Sequence, residues 1–171
     1  IFYVVDRLNE PYKLDLNVPD NYIIACSLNK KNNSLFGQNF DEIAESPIIC
    51  SNSIKHDKYF VDNIKFNLWF QGPCKLDWKK IKNDFSSFTS TQISQFDSFP
   101  CDEYHFFFQI TPYVSSHGVE HTKNTVILLG PGNKIMSEKY NSLLHISSHE
   151  LYHTWNIKSI RPKEMYPYDY S

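Results

Sequence analysis

His149-Glu150-Leu151-Tyr152-His153 is the segment whose residue types and spacing point most directly to chemistry. Its two histidines are four residues apart, so on a helix they leave one face, one turn above the other. Neutral imidazole is a natural zinc ligand, with nitrogen–metal distances of ~2.0–2.1 Å. His149 and His153 are therefore the candidate metal ligands, and Zn2+ is the expected cofactor. Glu150 follows the first ligand and can face a water molecule rather than the ion. There it is the candidate general base, taking a proton as water adds to a peptide carbonyl. The flanks Ser148, Leu151, Tyr152 and Thr154 are uncharged and Trp155 is apolar, as a buried active-site helix requires. Two surface histidines and a glutamate on an ordinary helix are the plainer alternative, and those flanks suit it less well.

A catalytic zinc takes three protein ligands. A third histidine six residues after His153 is absent, because that position is Ser159. The carboxylates that follow, Glu164 and Asp169, sit among Pro162, Pro167 and tyrosines with no helical pattern. The third ligand, a glutamate, is therefore expected beyond Ser171. A second histidine motif, His117-Gly118-Val119-Glu120-His121, reads as an inverted zinc signature. That signature needs a helix, which Gly118 and β-branched Val119 disfavour. In an extended segment, positions four apart are about 13 Å apart, too far to share an ion. An edge strand bordering the cleft, with Glu120 aimed into it, is the better reading; an exposed loop carboxylate is the bland one. Asn156, Lys158 and Arg161 are either cleft-shaping or structural. A tyrosine of the set Tyr166, Tyr168 and Tyr170 is a possible oxyanion donor, with packing the better expectation.

The elements that must position these groups are legible in part. Tyr12–Val18 alternates polar and apolar residues as a half-buried strand does, and Tyr22–Leu28 reads as a second strand. Lys30 to Ser34 reads as a polar loop, and Asp41–Glu45 as a short helical turn stopped by Ser46-Pro47. Lys65–Phe70 is a further strand, and residues 76–96 carry an imperfect helical stripe of Leu76, Ile81, Phe85, Phe88, Ile93 and Phe96. Tyr104–Ile110 is dense in aromatics and predicts a central strand buried on both faces. Thr125–Leu129 is another strand, and Asn141 to Asn156 a helix. The order predicts an α+β chain: the end of an N-terminal β domain over residues 1–46, then the strand-rich front of a second domain over 47–171.

At this point the motifs resemble a known family. Glu120, about thirty residues before the metal helix, is placed like the amine-binding glutamate of gluzincin aminopeptidases, with Gly118-Val119-Glu120-His121 as a variant of their edge-strand motif. The chain is most similar to the glycyl aminopeptidases, metallopeptidase family sixty-one, which often carry a C-terminal PDZ domain. The stretches that carry the resemblance are Asp41–Ile48, Tyr104–Gln109, His117–His121 and Ser148–Asn156, followed by Lys158, Arg161-Pro162 and Tyr168-Asp169-Tyr170. The resemblance implies a thermolysin-like catalytic domain whose front half ends in the metal helix. It implies removal of N-terminal Gly or Ala, His149 and His153 as ligands, Glu150 as general base and Glu120 as amine anchor, with Gly118, Val119 and His121 beside the substrate. It also implies a third ligand, the rest of the catalytic domain and any PDZ domain outside these residues.

Composition sets outer bounds. The chain has 171 residues, 17 basic and 19 acidic, for a net charge of −2. That balance gives no electrostatic footprint for nucleic acid or an anionic membrane. No run approaches the roughly 18 apolar residues of a membrane span. Five glycines without a Walker or dinucleotide motif argue against a phosphate-cradling protein. Cys26, Cys50, Cys74 and Cys101 form no C-x-x-C pair and are expected to be mostly free thiols. Free thiols and no leader pattern point to the cytoplasm, with a periplasmic or secreted protein as the alternative. The expected activity is removal of the first residue from peptides with free N-termini. The rivals are an endopeptidase with the same chemistry and a non-catalytic module that pairs peptides with the edge strand near Val119.

Overall fold

The computed structural model describes residue 4 and residues 6–165. In chain order its elements are β1 (Tyr12–Asp15), β2 (Ile23–Ala25), β3 (Asn29–Lys31), β4 (Ser34–Gly37), α1 (Phe40–Ala44), β5 (Ile49–Ser51), β6 (Ile54–Val61), β7 (Ile64–Gln71), α2 (Trp78–Phe96), β8 (Glu103–Ile110), β9 (Ser115–Glu120), β10 (Asn124–Gly130) and α3 (Tyr140–Tyr152). The mixed, strand-rich α+β architecture is the one read from the sequence. Residues 30–34 depart from it. They are not a plain loop but the turn of a β3–β4 hairpin, with Asn32 in the left-handed region at φ 54°. Asparagine tolerates that conformation, so the polar β3 can turn back onto β4, whose Leu35 enters the core.

β1, β4 and β3 form a three-stranded sheet, and β2 pairs with β5. Their core is Ile24, Leu28, Leu35 and Ile43, with α1 packed onto it through Ile43. Asn39 caps α1 by accepting from the Glu42 amide at 2.9 Å. β5 lies after the boundary expected at residue 46, so its pairing with β2 ties the two stretches together.

The larger sheet runs β6-β7-β8-β10-β9. β7 and β8 are parallel and α2 crosses between them. β10 is parallel to β8, while β9 returns antiparallel along the outer edge of β10. α2 and α3 cover one face. Phe66, Leu68 and Phe70 of β7 and Tyr104, Phe106 and Phe108 of β8, all fully buried, meet Ile81 and Phe85 of α2 and Leu143 and Leu151 of α3. β8 is buried on both faces, as its composition predicts: Phe107 points the other way and packs on Ala25 and Ile54. Two layers therefore share one central strand.

On that second face the polar side chains of β6, β7 and β8 form a ladder. The His56 ring stacks on Trp69 at 3.7 Å between centroids. Trp69 Nε1–H donates to His105 Nδ1 at 3.1 Å. Asn67 meets His56 at 3.0 Å and donates to Glu103 at 2.7 Å. His105 is 6% exposed, and burial pulls its pKa down to about 4, against the opposing pull of Glu103. No helix among the described residues is long and apolar enough to cross a membrane, and all four cysteines are free.

Candidate metal centre and cleft

α3 packs across β9 and β10 with Ser147, Glu150 and Leu151 buried and His149 exposed. Gln92 of α2 fixes it in place, donating at 2.9 Å to both the carbonyl and the hydroxyl of Ser148. This hold lies one residue before the first candidate ligand. The regular helix ends at Tyr152, earlier than the expected Asn156. A wider π turn over Thr154–Ser159 follows, broken at Asn156 (φ −113°, ψ 98°).

That break has a use. The Asn156 carbonyl lies 2.8 Å from His153 Nδ1 and accepts its proton. The tautomer is thereby set, and His153 Nε2 presents its lone pair. His153 Nε2 stands 3.2 Å from His149 Nε2, with the rings nearly perpendicular at 88°. Two nitrogens bound tetrahedrally to one zinc at ~2.0–2.1 Å would be about 3.3 Å apart. The pair fits one ion.

Glu150 is only 5% exposed, and its Oε2 has no hydrogen-bond partner among the described residues. Burial pushes its pKa up, the nearby His149 and His153 pull it down, and the charge of Glu120 raises it again. An orphaned, partly desolvated carboxylate is suited to accepting a proton.

The inverted motif is extended, not helical. Residues 115–120 are β9, the last strand of the sheet, so His117 and His121 do not form a helical ligand pair. Gly118 faces α3, and a Cβ there would overlap the Glu150 carboxylate. Two residues on and on the same strand face, Glu120 brings a carboxylate oxygen to the centre. Ligand atoms of Glu120, Glu150 and His153 all lie within 4.8 Å of one another. A cleft of about 730 Å³ opens between β9 and α3, lined among others by Ser116, His117, Gly118, His145 and Glu150. Val119 points away from it and is 42% exposed. His121 is half-buried beside Glu45, 3.9 Å from its Oε2. Tyr166, Tyr168, Asp169 and Tyr170 lie outside the described residues.

Comparisons with known proteins follow this geometry. The family model described as M61 glycyl aminopeptidase matches residues 142–171, most of α3 and the segment after it. The motif resemblance to glycyl aminopeptidases is met there. Among solved structures, an aminopeptidase N family protein from Idiomarina loihiensis superposes with a TM-score of 0.86 at 24% identity, over 96% of this chain. An M1 zinc metallopeptidase from Deinococcus radiodurans gives a TM-score of 0.53 at 13% identity over 85% of this chain. These likenesses establish the fold. The chain spans only 30% and 33% of those two proteins. No curated protein sequence matches it.

Proposed function

We propose that this chain is the metal-binding front of a zinc aminopeptidase that removes small N-terminal residues, glycine or alanine, from peptides with free N-termini. Residues 1–46 end a β domain and residues 47–171 form the first half of the catalytic domain in this reading. The third ligand comes from outside these residues. The observation that carries the reading is the meeting of Glu120, Glu150 and His153 within 4.8 Å.

Zinc on His149 and His153 would supply a Lewis acid for the scissile carbonyl and lower the pKa of water beside it. Asn156 orients His153 toward that ion. Glu150 accepts the proton of the attacking water and returns it to the leaving amine. Glu120 pairs with the ammonium of the first residue. Two carboxylates this close repel one another, and a substrate ammonium between them relieves that repulsion. A blocked N-terminus brings no charge and gains nothing from Glu120. The outer edge of β9 has no strand partner among the described residues and can align an extended peptide in the cleft.

The test uses the zinc-loaded protein as its gene encodes it. Gly- and Ala-starting peptides are offered free and N-acetylated, beside a Glu150→Gln variant. Only free peptides should be cut, and the variant should lose at least a hundredfold in kcat while keeping its zinc. Equal cleavage of acetylated peptides would make this an endopeptidase. No cleavage at all would favour a peptide-binding module.

A further inference from the structure

One carboxylate outside the cleft holds both of its walls. Glu45, just past α1, is 20% exposed at its side chain. Its Oε2 accepts the backbone N–H of Thr122 at 2.8 Å and the Thr122 hydroxyl at 3.0 Å. The same carboxylate takes the Lys158 ammonium, at 3.0 Å to Oε2 and 3.3 Å to Oε1. Thr122 is two residues after Glu120, in the turn that joins β9 to β10. Lys158 is two residues after Asn156, whose carbonyl orients His153. Separations of 77 and 113 residues are closed by one side chain.

The neighbourhood reinforces both contacts. The Glu45 carbonyl accepts from Asn124 Nδ2 at 3.0 Å, and Asn124 is fully buried. One turn back on α1, Glu42 pairs with Lys123 at 3.1 Å. The turn from Thr122 to Asn124 is thus held at three successive residues by two glutamates. On the other side Lys158 is 10% exposed at its side chain, so its charge is largely removed from water and needs its partner. The segment that Lys158 anchors is the one broken at Asn156, and the Lys158 backbone N–H itself donates to the His153 carbonyl at 3.0 Å, so a pull on Lys158 acts next to that ligand.

We infer that Glu45 is a positioning residue for the metal centre and the amine anchor, setting the distance between Glu120 and His153 by bridging Thr122 and Lys158. The inference rests on the aminopeptidase reading for its Glu120 arm. Its His153 arm depends only on metal binding. Glu45 touches neither substrate nor ion. It works by holding two segments that do.

The two arms separate experimentally. Glu45→Gln keeps an oxygen for Thr122 but removes the charge that holds Lys158. Glu45→Ala removes both, and Lys158→Met removes the second alone. Zinc affinity is read by competition with a chelating dye, and the preference for free over acetylated peptides from kcat/KM. Glu45→Gln and Lys158→Met should weaken zinc about tenfold, the scale of losing an outer partner of a ligating histidine, and keep most of the peptide preference. Glu45→Ala should lose both, the peptide effect falling on KM. A general structural role would instead lower the melting temperature and scale all activities together. Folded variants with unchanged zinc affinity and unchanged preference overturn the inference. Should Glu45→Ala not fold, Glu45→Gln and Lys158→Met still decide the zinc arm. Wild-type protein that cuts acetylated peptides equally well overturns the amine-anchor reading instead, and the zinc measurement stands apart from it.

Discussion

A missing side chain does as much at this site as any that is present. Gly118 leaves the room on β9 into which the Glu150 carboxylate is folded. Gly118→Ala should push Glu150 off its position without disturbing the strand, whose backbone there is ordinary. A displacement near 1 Å at a reacting group costs on the order of a hundredfold in rate. Steady-state kcat should therefore drop by that order while the far-ultraviolet circular dichroism stays unchanged. Several residue-scale features were legible in the sequence. The helix carrying His149 and His153 announces itself because their spacing coincides with the helix period. The edge-strand placement of Glu120 is legible because Gly118 and Val119 disfavour a helix. The Asn156 carbonyl was not legible, since a backbone oxygen leaves no trace in residue type. The Glu45 bridge was not legible either, because its partners are 77 and 113 residues away.

The elements divide by how they meet solvent. α2 and β8 could be read from pattern because each is committed to the core: Phe85 and Tyr104 through Phe108 are almost wholly buried. β6 escapes a sequence reading, for it is an edge strand carrying Lys55, His56, Asp57 and Lys58. Charge on an edge discourages pairing with other chains and erases the alternation that marks a strand. Its turn to β7 uses Asp62 and Asn63 at φ 48° and 68°, the left-handed pair that favours a tight hairpin. α2 begins where Asp77 accepts the Lys80 amide at 3.0 Å. Asp77→Ala removes that cap and should cost about 1 kcal/mol, measured as a lower urea midpoint with the same slope.

Across the whole molecule, the sheet joins the N-terminal strands to the helical layer through β8, and acid should loosen both at once. His105 is neutral in the folded state, with its pKa pulled to about 4 by burial, against an ordinary value near 6.5. The depressed value means that the unfolded chain takes up the proton first. Stability is then full above about pH 6.5 and is lost as pH falls toward 4, by about 3 kcal/mol over that window. Glu103, held below the usual carboxylate range by Lys65 and Asn67 despite its partial burial, pushes in the same direction at lower pH. Urea unfolding at pH 7 and pH 5 should show the loss, and His105→Gln should flatten it. The same ladder has an optical consequence. Trp69 lies between two imidazoles, against His56 and bonded to His105. A charged imidazole in contact with indole quenches its fluorescence. Emission from Trp69 should dim as His105 takes up a proton, so the protein carries its own light-based gauge of acid stress at the seam between its layers.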